Sequence, residues 1–237
     1  LNPPTVIPAS AGAIIVAAGS SRRMGFDKLA APLRGATVLA HSVRAFERCA
    51  AIRDIVLVGR PGALEPLGTL ARTEGWRKIA AIVPGGAERH ESVALGLGAL
   101  PPDNDIVAVH DAARPLVTPE AIARCLEAAR DADGASLATP VADTLKRAED
   151  GWVTGSVDRA NLWAMATPQA FPARILREAY RRLAADGATA TDEVSAVERI
   201  GGRIRLVDPR GPIFKITRPE DLALAELALA ARDPIQP

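Results

Sequence analysis

Residues 13–28 read AIIVAAGSSRRMGFDK, an unbroken apolar run that gives way to Gly, Ser, Arg and Lys. Apolarity without alternation over the length of one strand is the pattern of a β-strand covered on both faces. Runs of the same kind recur at 54–59, 78–83, 106–109 and 135–139. Between them, Val38, Leu39, Val43 and Phe46, and later Val93, Leu97 and Leu100, fall at helical spacing. Strand alternating with helix predicts an α/β fold: a doubly wound, mainly parallel, Rossmann-like sheet.

Helix starts support this reading. Thr118 precedes Pro119 as an N-cap before the first helical position, and Thr217 with Glu220 has capping-box spacing ahead of a Leu/Ala-rich last helix. Residues 145–159 (LKRAEDGWVTGSVDR) are too polar for the core, and their Asp-Gly pair predicts a β-hairpin. The expected organisation is a flexible tail over 1–12, one domain over 13–231 with a projecting arm at about 141–160, and a second tail over 232–237.

A chain of 237 residues is long enough for one large core. Its 29 Lys+Arg against 28 Asp+Glu leave a net charge of +1, and aromatics make up 3%. Neither the field that holds a long polyanion nor the stacking platforms of single-strand binding are present, so a nucleic-acid partner is not expected. No uninterrupted apolar stretch has membrane-spanning length, and a membrane role is not expected either. Cys49 and Cys125 lie far apart without metal-like spacing and read as buried thiols of a protein in a reducing cytoplasm.

In open parallel sheets ligands lie over the carboxyl ends of the strands, so the polar segments that follow the strands are the candidates for chemistry. GSSRRMGFDK (19–28) offers small residues for backbone approach to phosphate, with Arg22, Arg23 and Lys28 as cations. An ordinary Gly/Ser turn with surface cations fits that loop equally well. It lacks the GxGxxG and Walker A patterns of dinucleotide enzymes and P-loop kinases. PGGAERHES (84–92) is a second glycine turn opening a helix, with Ser92 as a possible hydrogen-bond partner; a solvated first turn is the plain alternative. VHDAARP (109–115) places Asp111 at a strand exit, where it can meet a divalent metal, and Arg114 where it can take a phosphate, with an Asp cap and a surface arginine as the plain alternative; His110 packs or orients. DRANLWAMATPQ (158–169), with Thr144 before the hairpin, offers Arg159 and Thr167, which also fit hairpin-edge charge and a Thr-Pro turn. Thr191, in the Thr-Asp-Glu segment 191–193, reads equally as a helix cap, and Lys215 in IFKITRPED as a surface cation.

Together and in this order, AAGSSRRM…DK, HDAARP, DRxxLWxxxTPQ, TDE and KITRPED resemble the 2-C-methyl-D-erythritol 4-phosphate cytidylyltransferase family over about residues 13–230. The opening is shared with other nucleotidyltransferases; the later motifs are more specific. The resemblance implies that Ala17, Ala18, Gly19, Gly86, Ser92 and Asp111 bind CTP, that Asp111 meets Mg²⁺, and that Arg23 and Lys28 stabilise developing charge. It implies that Arg114, Thr144, Arg159, Thr167, Thr191 and Lys215 surround the methylerythritol phosphate, with Arg159 and Lys215 aligning the attacking group. It also implies a homodimer clasped by the arm. Val16 stands where some relatives have proline, Ala87 where some have an acid, and the stretch between Met24 and Lys28 is short.

The implied reaction transfers CMP from CTP to 2-C-methyl-D-erythritol 4-phosphate, releasing pyrophosphate, in the non-mevalonate route to isoprenoids. A phosphate monoester is already largely ionised at neutral pH, so no general base is required. Charge stabilisation is what the chemistry needs, and the sequence supplies Arg and Lys at strand exits. Transfer to ribitol phosphate or molybdopterin, and an inactive nucleotide-binding protein, are the competing readings. The ARP of HDAARP and the TDE segment weigh against the first two, and retention of Arg23, Lys28 and Asp111 against the third.

Overall fold

The computed structural model describes residues 10–19 and 24–232. In chain order it contains β1 (Ala11–Ala17), β2 (Pro32–Leu33), β3 (Ala36–Thr37), α1 (Val38–Arg48), β4 (Ile52–Gly59), α2 (Leu64–Glu74), β5 (Ile79–Pro84) and α3 (Arg89–Ala99). There follow β6 (Ile106–Asp111), α4 (Pro119–Ala128), β7 (Gly134–Pro140), β8 (Leu145–Glu149), β9 (Trp152–Val157) and β10 (Trp163–Pro172). The chain continues through α5 (Ala173–Ala185), α6 (Glu193–Glu198), β11 (Ile204–Val207) and α7 (Glu220–Arg232).

The described residues form a seven-stranded sheet in the order β11-β7-β10-β6-β1-β4-β5. All neighbours pair in parallel except β10, which runs antiparallel to both β6 and β7. From β1 the chain winds one way through β4 to β5 and then crosses to β6 on the other side, so the switch in strand order falls between β1 and β6. A crevice opens at such a point because neighbouring connections leave toward opposite faces.

The apolar run of β1 is buried on both sides. Ala13, Ile15 and Ala17 join a core under α1, α2, α4 and α7, whereas Ile14 joins the core under α3, α5 and α6. Gly96 lets α3 close on the sheet: a Cβ there would lie 2.6 Å from Ile14 and 2.9 Å from Val58.

Three features differ from the sequence-based expectation. Strand β1 begins at Ala11, so residues 11 and 12 belong to the sheet rather than to a tail, and α7 extends to Arg232. Residues 1–9 and 233–237 of the two expected tails lie outside the described residues. Part of the segment taken as a loop, from Trp163 onward, is strand β10. Pro168 disguises it, since proline cannot donate to a ladder; the register shift between Met165 and Gln169 accommodates it. The last helix also starts later than its capping pattern implied. The acid that reaches back is Asp221 rather than Glu220, accepting from the backbone N–H of Thr217 at 2.7 Å and of Arg218 at 2.9 Å.

Other local readings agree with the structure. Thr118 accepts from the Ala121 N–H at 3.2 Å with Pro119 at the first helical position. Strands β8 and β9 pair as a two-stranded sheet of their own. Asp150 (φ 49°) and Gly151 (φ 83°) make their turn, both in the left-handed region that a two-residue hairpin loop demands. Cys49 and Cys125 are free and buried, and burial pushes the Cys125 thiol up to about 12. Among the described residues no helix is long and apolar enough to cross a membrane.

Candidate active site

A cleft of about 500 Å³ lies over the carboxyl ends of β1, β5 and β6. Val16, Ala18 and Gly19 line it from the first strand and its loop, Gly86 to Arg89 and Ser92 from the second glycine turn, and Asp111 and Ala113 from β6. Met24, Lys28, Leu29, Lys215 and Thr217 complete the wall. Two positions at which the sequence departs from some relatives, Val16 and Ala87, therefore both face this space.

The two glycine loops meet tightly. A Cβ on Gly85 would lie 2.5 Å from the Ala18 Cβ, so glycine permits the approach. Ser92 is almost fully buried and braces the second loop: its hydroxyl donates to the Glu88 carbonyl and accepts from the Gly86 N–H, each at 3.1 Å. Glu88 and Glu91 form the capping box that starts α3. Lys28 Nζ donates to the Ile216 carbonyl at 2.7 Å, joining the first loop to the segment that carries Lys215.

Asp111 is the last residue of β6, and its carboxylate is the electrostatic centre of the cleft. Oδ1 accepts from Arg89 Nε at 3.1 Å and Oδ2 from Lys215 Nζ at 3.0 Å; Arg114 Nε stands 3.6 Å from Oδ2, an ion-pair contact without a hydrogen bond. Burial alone would raise its pKa, but Arg89, Lys215 and Arg114 outweigh burial and hold it well below the usual carboxylate range. Behind Asp111, its backbone N–H donates to Thr167 Oγ1 at 3.0 Å. His110 is fully buried, makes a tilted ring contact with Phe46 at 5.0 Å between centroids, and contacts Thr167 Oγ1 through Nδ1 at 3.0 Å and the Arg114 carbonyl through Nε2 at 3.3 Å. A carbonyl can only accept, so Nε2 carries the proton and Thr167 donates to Nδ1. Burial lowers the imidazole pKa to about 3.

Arg89 also donates through Nη1 and Nη2 to Glu193, at 2.7 and 3.0 Å, and Tyr180 donates to the same carboxylate at 3.0 Å. Burial opposes the guanidinium charge, yet the Glu193 carboxylate overrides it and raises the Arg89 pKa. Sequence reasoning named neither Arg89 nor Tyr180 as a site residue, and treated Glu193 only as part of the Thr-Asp-Glu segment. The two ends of the pair lie far apart in the chain, and nothing local in either segment announces the other. The visible signal was a lone Arg in the first turn of a helix that opens on a phosphate-type loop.

The structure thus brings Ala18, Gly19, Lys28, Gly86, Ser92, Asp111 and Lys215 together. Ala17 ends β1 beneath the cleft and is buried, and Arg114 and Thr167 stand behind Asp111, with Arg114 also donating to the Ile213 carbonyl at 2.9 Å. Thr144 and Arg159 lie exposed at the two ends of the arm, where Arg159 donates to the Ala142 carbonyl. Thr191 is exposed, next to Asp192, which is the residue that caps α6. These three line none of the cleft in their own chain. Arg23 lies outside the described residues. Among the described residues no group of three or more His, Cys, Asp or Glu is placed to hold a metal ion.

Residues 11–231 match the family model described as 2-C-methyl-D-erythritol 4-phosphate cytidylyltransferase. Proteins of that name from Pelotomaculum thermopropionicum and Symbiobacterium thermophilum are 42% and 45% identical to this chain, covering 93% and 91% of it and 94% and 91% of themselves. A crystal structure of the Thermus thermophilus protein of the same name superimposes with a TM-score of 0.78 at 34% identity, covering 94% of this chain and 99% of that one. The 4-diphosphocytidyl-2C-methyl-D-erythritol synthase of Anaerococcus prevotii gives 0.81 at 27% identity, with coverage of 94% and 99%.

Proposed function

The chain belongs to the 2-C-methyl-D-erythritol 4-phosphate cytidylyltransferase family, and from that premise we propose how its own residues carry the reaction. The enzyme transfers CMP from CTP to 2-C-methyl-D-erythritol 4-phosphate. An oxygen of the acceptor phosphate bonds to the α-phosphorus of CTP, the bond from that phosphorus to the bridging oxygen breaks, and pyrophosphate leaves with the electron pair.

Residues Ala18, Gly19 and Gly86 to Ser92 hold the nucleotide, with Ala17 supporting the first loop from beneath. Lys28, together with Arg23, stabilises charge on the transferring and leaving oxygens. Lys215 and Arg159 align the acceptor phosphate, aided by Arg114, Thr144, Thr167 and Thr191. The observation that carries this reading is Asp111 at the β1/β6 crevice among Arg89, Lys215 and Arg114, in a cleft whose described lining contains neither a cysteine nor a histidine. Such a site suits polyphosphate chemistry without a protein nucleophile. One carboxylate with no metal cluster around it fits Mg²⁺, which is commonly held by one or two carboxylates plus substrate phosphates. Asp111 is the residue that would hold the ion, and the ion would neutralise phosphate charge. The free cysteines are consistent with a reducing cytoplasm.

The arm supports a homodimer. Trp152 is 79% and Val153 66% exposed on a hairpin outside the main sheet, an apolar surface that a second copy would cover. In that assembly Arg159 completes the neighbour's site rather than its own. The test pairs pyrophosphate release with complementation. CTP with methylerythritol phosphate should turn over, with ribitol and erythritol phosphates far behind; equal rates for all three acceptors would overturn the acceptor assignment. Inactive Lys28→Ala and Arg159→Ala chains, refolded together, should regain about one quarter of parental activity, because half the dimers are mixed and each has one intact site. No regain despite demonstrated mixed dimers would return Arg159 to its own chain's site.

A further inference from the structure

We infer that Glu193 is a positioning residue for the transfer, acting through Arg89 to fix Asp111 and tying the Thr191 segment to the nucleotide wall. This rests on the proposed function of the cleft. A guanidinium carries five N–H donors in one plane, and Arg89 divides them between two carboxylates: Nη1 and Nη2 to Glu193, Nε to Asp111. The first contact is bidentate, so Arg89 cannot turn away from Asp111 without breaking both bonds to Glu193. Lysine at 89 would keep the charge and lose the bridge.

Glu193 is itself held from three sides. It has no solvent exposure; Tyr180 of α5 donates to Oε1, and Gln169 Oε1 of β10 accepts from the backbone N–H of Glu193 at 3.0 Å and of Val194 at 3.1 Å. Gln169 Nε2 donates to Asp192 at 2.8 Å, fixing the cap of α6 beside Thr191. The pair therefore connects the N-terminal ends of α3 and α6, one on the nucleotide cleft and the other next to a residue assigned to the second substrate. Apolar side chains of similar volume serve stability as well as a buried ion pair or better. What they cannot supply is a cation held in a fixed direction against Asp111.

The experiment is a double-mutant cycle of Glu193→Gln and Asp111→Asn, read as kcat and KM for each substrate and as CTP affinity by calorimetry with no acceptor present. Turnover by the parent protein is the control that separates failure of the functional assignment from failure of this inference. Glu193→Gln should lower kcat/KM and CTP affinity together, with kcat/KM falling about 10–100-fold, the scale for outer partners of a functional ligand. In the Asp111→Asn background the same change should add less than about threefold, since its target is gone. An equal factor in both backgrounds would mean a role in stability alone and would overturn the inference. If Glu193→Gln does not fold, Tyr180→Phe, which removes one hydrogen bond to Glu193, takes its place. Its smaller loss must likewise vanish with Asp111→Asn, and an undiminished loss overturns the inference.

Discussion

His110 gives the protein a pH dependence whose sign and size follow from where it sits. Its folded-state pKa is lowered by burial from 6.5 to about 3. Below pH 6.5 the unfolded chain takes up a proton that the folded chain refuses, so the unfolded state binds more protons and stability falls with falling pH. The contribution is fully present above 6.5 and is lost progressively as pH drops toward 3. One pKa unit corresponds to about 1.4 kcal/mol, so between pH 7.5 and 5.0 the loss from this residue is about 2 kcal/mol. The perturbation is His110→Asn, which keeps a polar group beside Thr167 and cannot titrate. Denaturant midpoints at pH 7.5, 6.5, 5.5 and 5.0, at fixed ionic strength, give stability against pH for parent and variant. The variant will be less stable throughout because it loses the ring contact with Phe46, but the slope is the readout: the parent should lose about 2 kcal/mol more than the variant over this range. His41, also lowered chiefly by burial, contributes to both proteins and cancels. Parallel curves would show that His110 protonates in the folded state without penalty and would refute the reasoning.

Three further outcomes are expected. Lys28→Ala should lower the single-turnover rate about 10²–10³-fold with a milder loss of CTP binding; a rate within threefold of the parent would remove Lys28 from the charge-stabilising role. Gly96→Ala should cost about 1–3 kcal/mol in denaturant unfolding, because its Cβ meets the branched Ile14 and Val58 in a packed core; an unchanged midpoint would show that α3 lifts off the sheet without resistance. Cys125, with its thiol pKa raised from 9.0 to about 12, should resist alkylation at pH 8.5 until the protein unfolds, and the fold should lose stability as pH rises from 9 toward 12, since only the unfolded thiol ionises there; rapid native-state labelling would place the thiol at the surface.

Much of the fold could be read because the signals are local. The mainly apolar runs of β1, β4, β5, β6 and β7 each lie within one short window, as do the Thr118-Pro119 cap and the Asp150-Gly151 turn. Strand β10 was hidden because Pro168 contradicts a central strand locally, and only the shifted register with β7 makes room for it. The four-residue strand β11, Ile-Arg-Leu-Val, is interrupted by a charge and too short to stand out. The cleft was legible where strand exits carry polar residues, as at Lys28, Gly86, Ser92, Asp111 and Lys215. It was illegible where a side chain of the cleft is held by a tertiary pairing. Glu193 was read only as part of the Thr-Asp-Glu segment because its partner, Arg89, is reached only through a tertiary ion pair between the first turns of α3 and α6.

That difference sorts the cations of the cleft into two kinds. Lys215 is about one-third exposed on a flexible four-carbon stem and meets Asp111 through one contact, so an entering phosphate can draw it away at little cost. Arg89 is pinned through three hydrogen bonds between two carboxylates, one of them without solvent exposure, and its release would leave Glu193 buried and unpaired, a penalty of several kcal/mol. Of the three described cations that line the cleft, the lysines, Lys28 and Lys215, are the ones suited to follow a substrate, and Arg89 is the one suited to stay still. Preorganised electrostatics works only when some of the charges do not reorganise. The buried glutamate, costly to place and without an evident role when the sequence is read alone, is what keeps Arg89 among those that stay.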